Sequence, residues 1–129
     1  MNKKITLLLL LLSSNVFAVW PHNNISQAVF ALDVVDRSPQ NIVSEIDNNI
    51  KKIFFYTNLR NLKGQTITHR WFYNGKKMAE VIFHPRGNRW RVYSSKNLWH
   101  TWTGQWKVEV VNQNQKILLT KTFRYNKFL

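Results

Sequence analysis

The sequence predicts an all-β fold, an antiparallel β-sandwich of about seven strands with immunoglobulin-like architecture, on three observations. Apolar and polar residues alternate with period two along most of the chain, and the helical period is weak. Asn74-Gly75 sits between two runs of strand-forming residues, the strongest short-range signal for a hairpin. Turn residues recur at short spacing between the alternating runs. A small barrel is the second choice.

The elements follow in chain order. Ala28, Phe30, Leu32 and Val34 share one face of a first strand, and Asp36-Arg37-Ser38-Pro39 reads as a turn because Pro39 fixes its own φ and constrains Ser38. Ile42, Val43, Ile46 and Ile50 fall at near-helical spacing, so Gln40 to Asn49 is open to a helical turn, a loop or a short strand. Ile53 to Thr57 is rich in residues that suit a pleated surface. Thr66–Tyr73 and Lys76–Phe83 flank Asn74-Gly75, which suits the two positive φ angles of a type I′ turn. Counting outward from that turn pairs Trp71 with Met78, Arg70 with Ala79 and His69 with Glu80, and both hairpin faces are partly apolar. His84-Pro85-Arg86-Gly87 makes a further turn. Asn88–Ser95 is a strand with Trp90 and Val92 on one face and Arg89, Arg91 and Tyr93 on the other. Trp106, Val108 and Val110 alternate with Gln105, Lys107 and Glu109, and Ile117, Leu119, Phe123 and Tyr125 line a last strand.

Residues 1–18 read as a secretory signal. Lys3 and Lys4 precede an apolar run of eight residues, Ile5–Leu12, and Val16-Phe17-Ala18 places small residues where a signal peptidase reads. A bilayer span needs about 20 apolar residues, and no other stretch approaches that. Residues 19–129 are then one domain, expected in the periplasm or secreted beyond it. The chain has no cysteine, which excludes disulfides, thiolate metal sites and cysteine nucleophiles.

The formal charge is +13, unevenly spread. Between Val19 and Ile50 the one basic residue is Arg37, against Asp33, Asp36, Glu45 and Asp47; from Lys51 onward the acids are Glu80 and Glu109 alone. A field of that sign attracts polyanions. For an exported protein these are anionic polysaccharide, lipopolysaccharide, anionic lipid and wall polymer, with nucleic acid not expected. The competing account is that basic residues keep an all-β protein soluble and blunt its sheet edges.

Several strings are distinctive: Gly64-Gln65-Thr66-Ile67-Thr68-His69-Arg70-Trp71, Tyr73-Asn74-Gly75-Lys76, Met78-Ala79-Glu80-Val81, Arg89 to Leu98, and Trp102-Thr103-Gly104-Gln105-Trp106. They resemble the bacterial family catalogued as domain of unknown function 2914, over roughly Ile50 to Val111, with weaker agreement around Asp36-Arg37-Ser38-Pro39. The resemblance implies an envelope protein, standing alone or attached to membrane segments, and carries over no activity, cofactor or catalytic residue. With no apolar span beyond the signal, a tethered role does not transfer.

Three constellations are candidate sites. His69 opposite Glu80 has the chemistry of a general base or metal ligand, yet no nucleophile or third ligand accompanies it, so a polar pair fixing strand register is preferred. Arg89, Arg91 and Tyr93 project from one strand face, with Arg86 before them, Lys96 after them and Trp99 in the next loop. Guanidinium groups at alternate positions fork onto phosphate or carboxylate, while Tyr93 and Trp99 offer stacking surface. The opposing account is a solvated face whose long side chains cover aromatic surface. Trp102, Gly104 and Trp106 share a parity; Trp106 is expected in the core, Trp102 over the sandwich end, and Gly104 beside a gap that a ring or backbone could enter. The expected function is a non-catalytic binding module for an anionic envelope polymer, without metal or cofactor. The alternatives are an accessory subunit docking a membrane-protein complex and, less favoured, a small hydrolase using His69 and Glu80.

Overall fold

Alternating sequence becomes alternating burial once the strands pair. The computed structural model describes residues 19–129, and the export signal read at residues 1–18 lies outside them. Nine strands form: β1 (Ile25–Val35), β2 (Ser38–Val43), β3 (Glu45–Asp47), β4 (Lys52–Arg60), β5 (Ile67–Tyr73), β6 (Lys76–Phe83), β7 (Arg89–Asn97), β8 (Gly104–Asn112) and β9 (Ile117–Asn126). They make two sheets, a four-stranded one in the order β2-β1-β4-β7 and a five-stranded one in the order β3-β9-β8-β5-β6. All pairings are antiparallel except β3 with β9. With β1-β4-β7 facing β9-β8-β5-β6, the arrangement is an immunoglobulin-like sandwich to which β2 and β3 are additions. No helix among the described residues is long and apolar enough to cross a membrane.

The stretch Gln40–Asn49 resolves as strand: Ser44 separates β2 from β3 and carries the chain from one sheet to the other. Pro39, expected in a turn, is paired with Val34 inside β2. An edge strand tolerates it, because its missing N–H can face away from the ladder. The turn itself is Asp36-Arg37, two residues with φ of 49° and 57°.

The Asn74-Gly75 turn has the expected positive φ angles, 50° and 75°, but the register counted from it holds for only two pairs. A β-bulge between Trp71 and Phe72 skips Met78, so Trp71 pairs with Ala79, Arg70 with Glu80 and His69 with Val81. The cause is visible in the burial. Unbulged pairing would put the Glu80 carboxylate opposite fully buried His69, a desolvation of several kcal/mol. The extra residue sends Glu80 to the solvent face and turns Val81 and Phe83 toward the core with His69 and Ile67.

Aromatic rings fill the space between the sheets. Trp106 is fully buried and stacks between Tyr73, 4.9 Å away, and Phe123, 5.9 Å away, while Phe30 meets Phe55 and Phe123 at 4.9 and 4.8 Å. Trp102, half-buried, covers the end of the sandwich and accepts the Trp106 indole N–H on its carbonyl at 2.9 Å. Gly104 has open space where a Cβ would stand, so the reason for glycine is its φ of 117° and not a close approach. Tyr125 donates its hydroxyl to the carbonyl of Ile50 at 2.7 Å, tying β9 to the segment before β4. Truncating Trp106 removes the centre of the ring stack. Trp106→Ala is expected to lower unfolding free energy by about 4 kcal/mol in urea titration, whereas Trp99→Ala, at an exposed loop position, should change it by less than about 0.5 kcal/mol.

Candidate functional site

His69 lies wholly inside the sandwich, away from Glu80. Its Nε2 is 3.0 Å from Thr57 Oγ1 and its Nδ1 is 2.8 Å from Ser94 Oγ, which also accepts the Trp71 indole N–H at 3.0 Å. The imidazole is neutral, one nitrogen donating and the other accepting, and burial pushes its pKa down to about 3. The predicted His69–Glu80 pair is therefore corrected to a His69–Thr57–Ser94–Trp71 network. A serine against an imidazole is the pairing a hydrolase uses, but Ser94 is buried too, with Trp71 bonded to its oxygen. No group of three or more potential metal ligands occurs among the described residues. Glu80 bonds Arg70 Nε at 2.9 Å and Lys77 Nζ at 3.3 Å on the outer face, and Lys77 first, then Arg70, hold its carboxyl below the usual range.

The arginine face is built on the other sheet. Trp90, Val92 and Ser94 of β7 point inward, so Arg89, Arg91 and Tyr93 point out, as the sequence predicts. They stand beside the outward residues of β4, Phe54, Tyr56, Asn58 and Arg60, in a register without shifts from Lys52↔Asn97 to Arg60↔Arg89. Arg60 and Arg89 are thus direct cross-strand neighbours of like charge, an arrangement that costs stability unless an anion lies between them. Tyr56, outward by parity, is nonetheless only 2 % exposed. Burial pushes its phenol above the ordinary value, with Arg91, Arg89 and Arg60 pulling the other way, so three guanidinium groups converge on it.

Over this face comes the tip of the β1–β2 hairpin. Arg91 Nη1 donates to the carbonyl of Arg37 at 3.4 Å, and a cavity of about 380 Å³ opens between Arg37, Arg89, Trp90, Arg91 and Val92. Arg86, in the loop before β7, lies over the Trp90 ring at 5.7 Å, and Arg60 lies over Trp20 at 5.1 Å. None of these five arginines has a carboxylate partner among the described residues. Glu80 and Glu109, the acids of the basic segment, are both occupied on the five-stranded sheet, by Arg70 with Lys77 and by Lys107.

Two residues grouped with this site by sequence do not join it. Lys96 has the inward parity of Trp90 and Val92, and its ammonium sits over the Trp102 ring at 5.5 Å. Trp99 follows the far end of β7, which lies about 20 Å along the strand from Arg91, and packs on His100 at 4.9 Å. Tyr93 remains on the face, against Phe54 at 6.0 Å. Arg60 carried a readable signal, since the alternation of β4 extends to it. Arg37 carried none, because a turn without glycine does not reveal that its tip folds over a sheet.

Comparison with known proteins adds the family and little more. The family described as protein of unknown function (DUF2914) matches residues 64–125, shifted toward the C-terminus of the span read from the sequence. It takes in β5 to β9, hence Arg86, Arg89, Arg91, His69 and Ser94, and leaves out the strands that supply Arg37, Arg60 and Thr57. No curated protein matches the chain.

The neutral imidazole has a stability consequence. Its folded pKa lies below the unfolded value of about 6.5, so as pH falls below 6.5 the unfolded chain takes up a proton that the folded one refuses. Stability is expected to drop by about 1.4 kcal/mol per pH unit from 6.5 toward 3. His69→Gln, which cannot titrate, should flatten that slope in denaturant titrations at several pH values. Glu80→Gln, breaking only a surface pair, should leave the urea unfolding midpoint at pH 7 nearly unchanged.

Proposed function

We propose that this chain, whose residues 64–125 belong to the DUF2914 family, is a non-catalytic binding module that holds an anionic polymer of the bacterial envelope on the arginine face of β4 and β7. The observation that carries this reading is the cavity walled by Arg37, Arg89 and Arg91, none of them paired with a carboxylate. Guanidinium groups from two separate elements converge there, and Arg86 lies over the ring of the lining residue Trp90. Planar forks of this kind take phosphate or carboxylate through two parallel hydrogen bonds. The secretory pattern of residues 1–18 favours an envelope ligand, a lipopolysaccharide or acidic polysaccharide, over nucleic acid.

Backbone conformation adds support. Among the described residues two two-residue turns have both φ angles positive, and at Asn74-Gly75 the chain uses a favoured pair. At Asp36-Arg37 it places arginine where glycine would be unstrained, at φ 57°. A non-glycine residue there costs about 1–2 kcal/mol, and strain of that size persists at sites where the side chain has a task. Arg37 is the residue that walls the cavity from above the sheet.

Two variants test the reading. Arg89→Ala with Arg91→Ala is expected to weaken binding of lipopolysaccharide or an acidic polysaccharide at least tenfold, followed through intrinsic tryptophan fluorescence at physiological salt. Unchanged affinity would sink the site. Arg37→Gly should raise stability by up to about 1 kcal/mol, the relieved strain less the added entropy of glycine, while weakening binding. A variant that is both more stable and fully competent would show that Arg37 has no part in recognition.

A further inference from the structure

Sheet edges are where a β-sandwich can take a partner, and the molecule has four of them. Three are blunted. β2 carries Pro39 and, at Asn41, a φ of 58°; β3 is three residues long; β6 starts with Lys76 and Lys77 and contains the bulge at Met78. β7 differs. It is nine residues long, has no proline, and pairs with β4 through nine consecutive residues without a shift, while no strand of the described residues pairs with its other side. Every second residue of β7 therefore turns its N–H and C=O away from β4.

The cavity borders this strand. Four of its lining residues, Arg89, Trp90, Arg91 and Val92, are consecutive in β7. Consecutive side chains point to opposite faces, so a space lined by all four meets the β7 main chain as well as the outward arginines. Main-chain groups are thus available beside two arginines spaced two residues apart, about 6.8 Å, the repeat between same-side residues of any strand.

We infer that β7 receives an extended acidic polypeptide segment as an added strand, with acidic side chains at alternate positions on Arg89 and Arg91. This rests on the anion-binding reading above and extends it to a polypeptide ligand at the same arginines: a chain with both backbone hydrogen-bonding groups and carboxylates at the strand repeat. The intervening residues of the segment are apolar, because on the inward side they meet the Trp90 edge and the half-buried Val81 and Phe83 of neighbouring β6. Charge decides the partner. A second copy of β7, paired antiparallel along its length, sets Asn97 opposite Arg89 and Ser95 opposite Arg91 and leaves both guanidinium groups uncompensated, whereas an acidic strand neutralises them. Arg37 stands across the cavity, placed to bind a third carboxylate.

The test uses the purified protein and synthetic nine-residue peptides alternating glutamate and valine. Two derivatives carry N-methyl groups, one on every glutamate nitrogen and one on every valine nitrogen, and a scrambled peptide gathers the acids in one block. The alternating peptide is expected to bind at least tenfold more tightly than the scrambled one. One methylated derivative should lose binding tenfold or more and the other should keep it, because only one set of N–H groups faces β7. The amides of residues 89–93 that face away from β4 should gain protection from hydrogen exchange. Equal binding by both methylated derivatives, or by the scrambled peptide, overturns strand addition. If Arg89→Ala with Arg91→Ala still abolishes binding in that case, the anion-binding reading stands alone. Binding of lipopolysaccharide at the arginines with no binding of the alternating peptide also overturns this inference and leaves the broader reading intact. If the double variant changes neither, both fall.

Discussion

A neutral imidazole bridging the two sheets is the constraint on which the rest of the molecule depends. His69 and Trp71 belong to β5 of the five-stranded sheet, Thr57 and Ser94 to β4 and β7 of the other, and the four side chains satisfy one another in the dry interior. Apolar packing between sheets is tolerant of small slides; hydrogen bonds of fixed length are not. The network therefore sets where β4 and β7 lie over β5. It also sets what the outside of the sheet displays. With Ser94 held inward, Arg91, Tyr93 and Ser95 have to point out, and Arg89 with them. No buried side-chain polar atom among the described residues lacks a partner, so this interior polarity is compensated.

The bulge at Met78 belongs to the same constraint. Histidine can be buried neutral; a glutamate on the adjacent strand cannot be buried cheaply as an anion. The extra residue separates them, and Arg70 and Lys77 then collect Glu80 outside. With Glu109 held by Lys107, the acids of the basic segment are consumed on the five-stranded sheet, and the arginines of the four-stranded sheet keep their charge uncompensated. The charge imbalance visible in composition thus has an address on one face.

Sequence shows part of this and hides part for definite reasons. The sandwich, the Asn74-Gly75 turn, the inward Trp106 and the outward Arg89, Arg91 and Tyr93 follow from period-two alternation and turn chemistry, which are local. The partner of His69 was misread because a register counted from a turn assumes an unbroken ladder, and the bulge between Trp71 and Phe72 answers to burial across the sandwich. Lys96 follows the inward parity of β7 to the Trp102 ring, and Trp99, near Arg91 in sequence, lies far from it along the strand. Arg37 enters the site only because the β1–β2 hairpin folds over the sheet, a tertiary event with no local signature.

The tie between Tyr125 and the carbonyl of Ile50 joins residues 75 apart, and β3 pairs in parallel with β9 across a similar interval. Both contacts require β9, so a chain appearing N-terminus first has β1 to β4 available early but no closed sandwich. Contacts this distant in sequence slow folding, because loop closure must come before the contacts that reward it. Closure of the sandwich therefore waits for β9, whereas the strands that carry the inter-sheet network and the arginine face, β4, β5 and β7, all precede it in the chain.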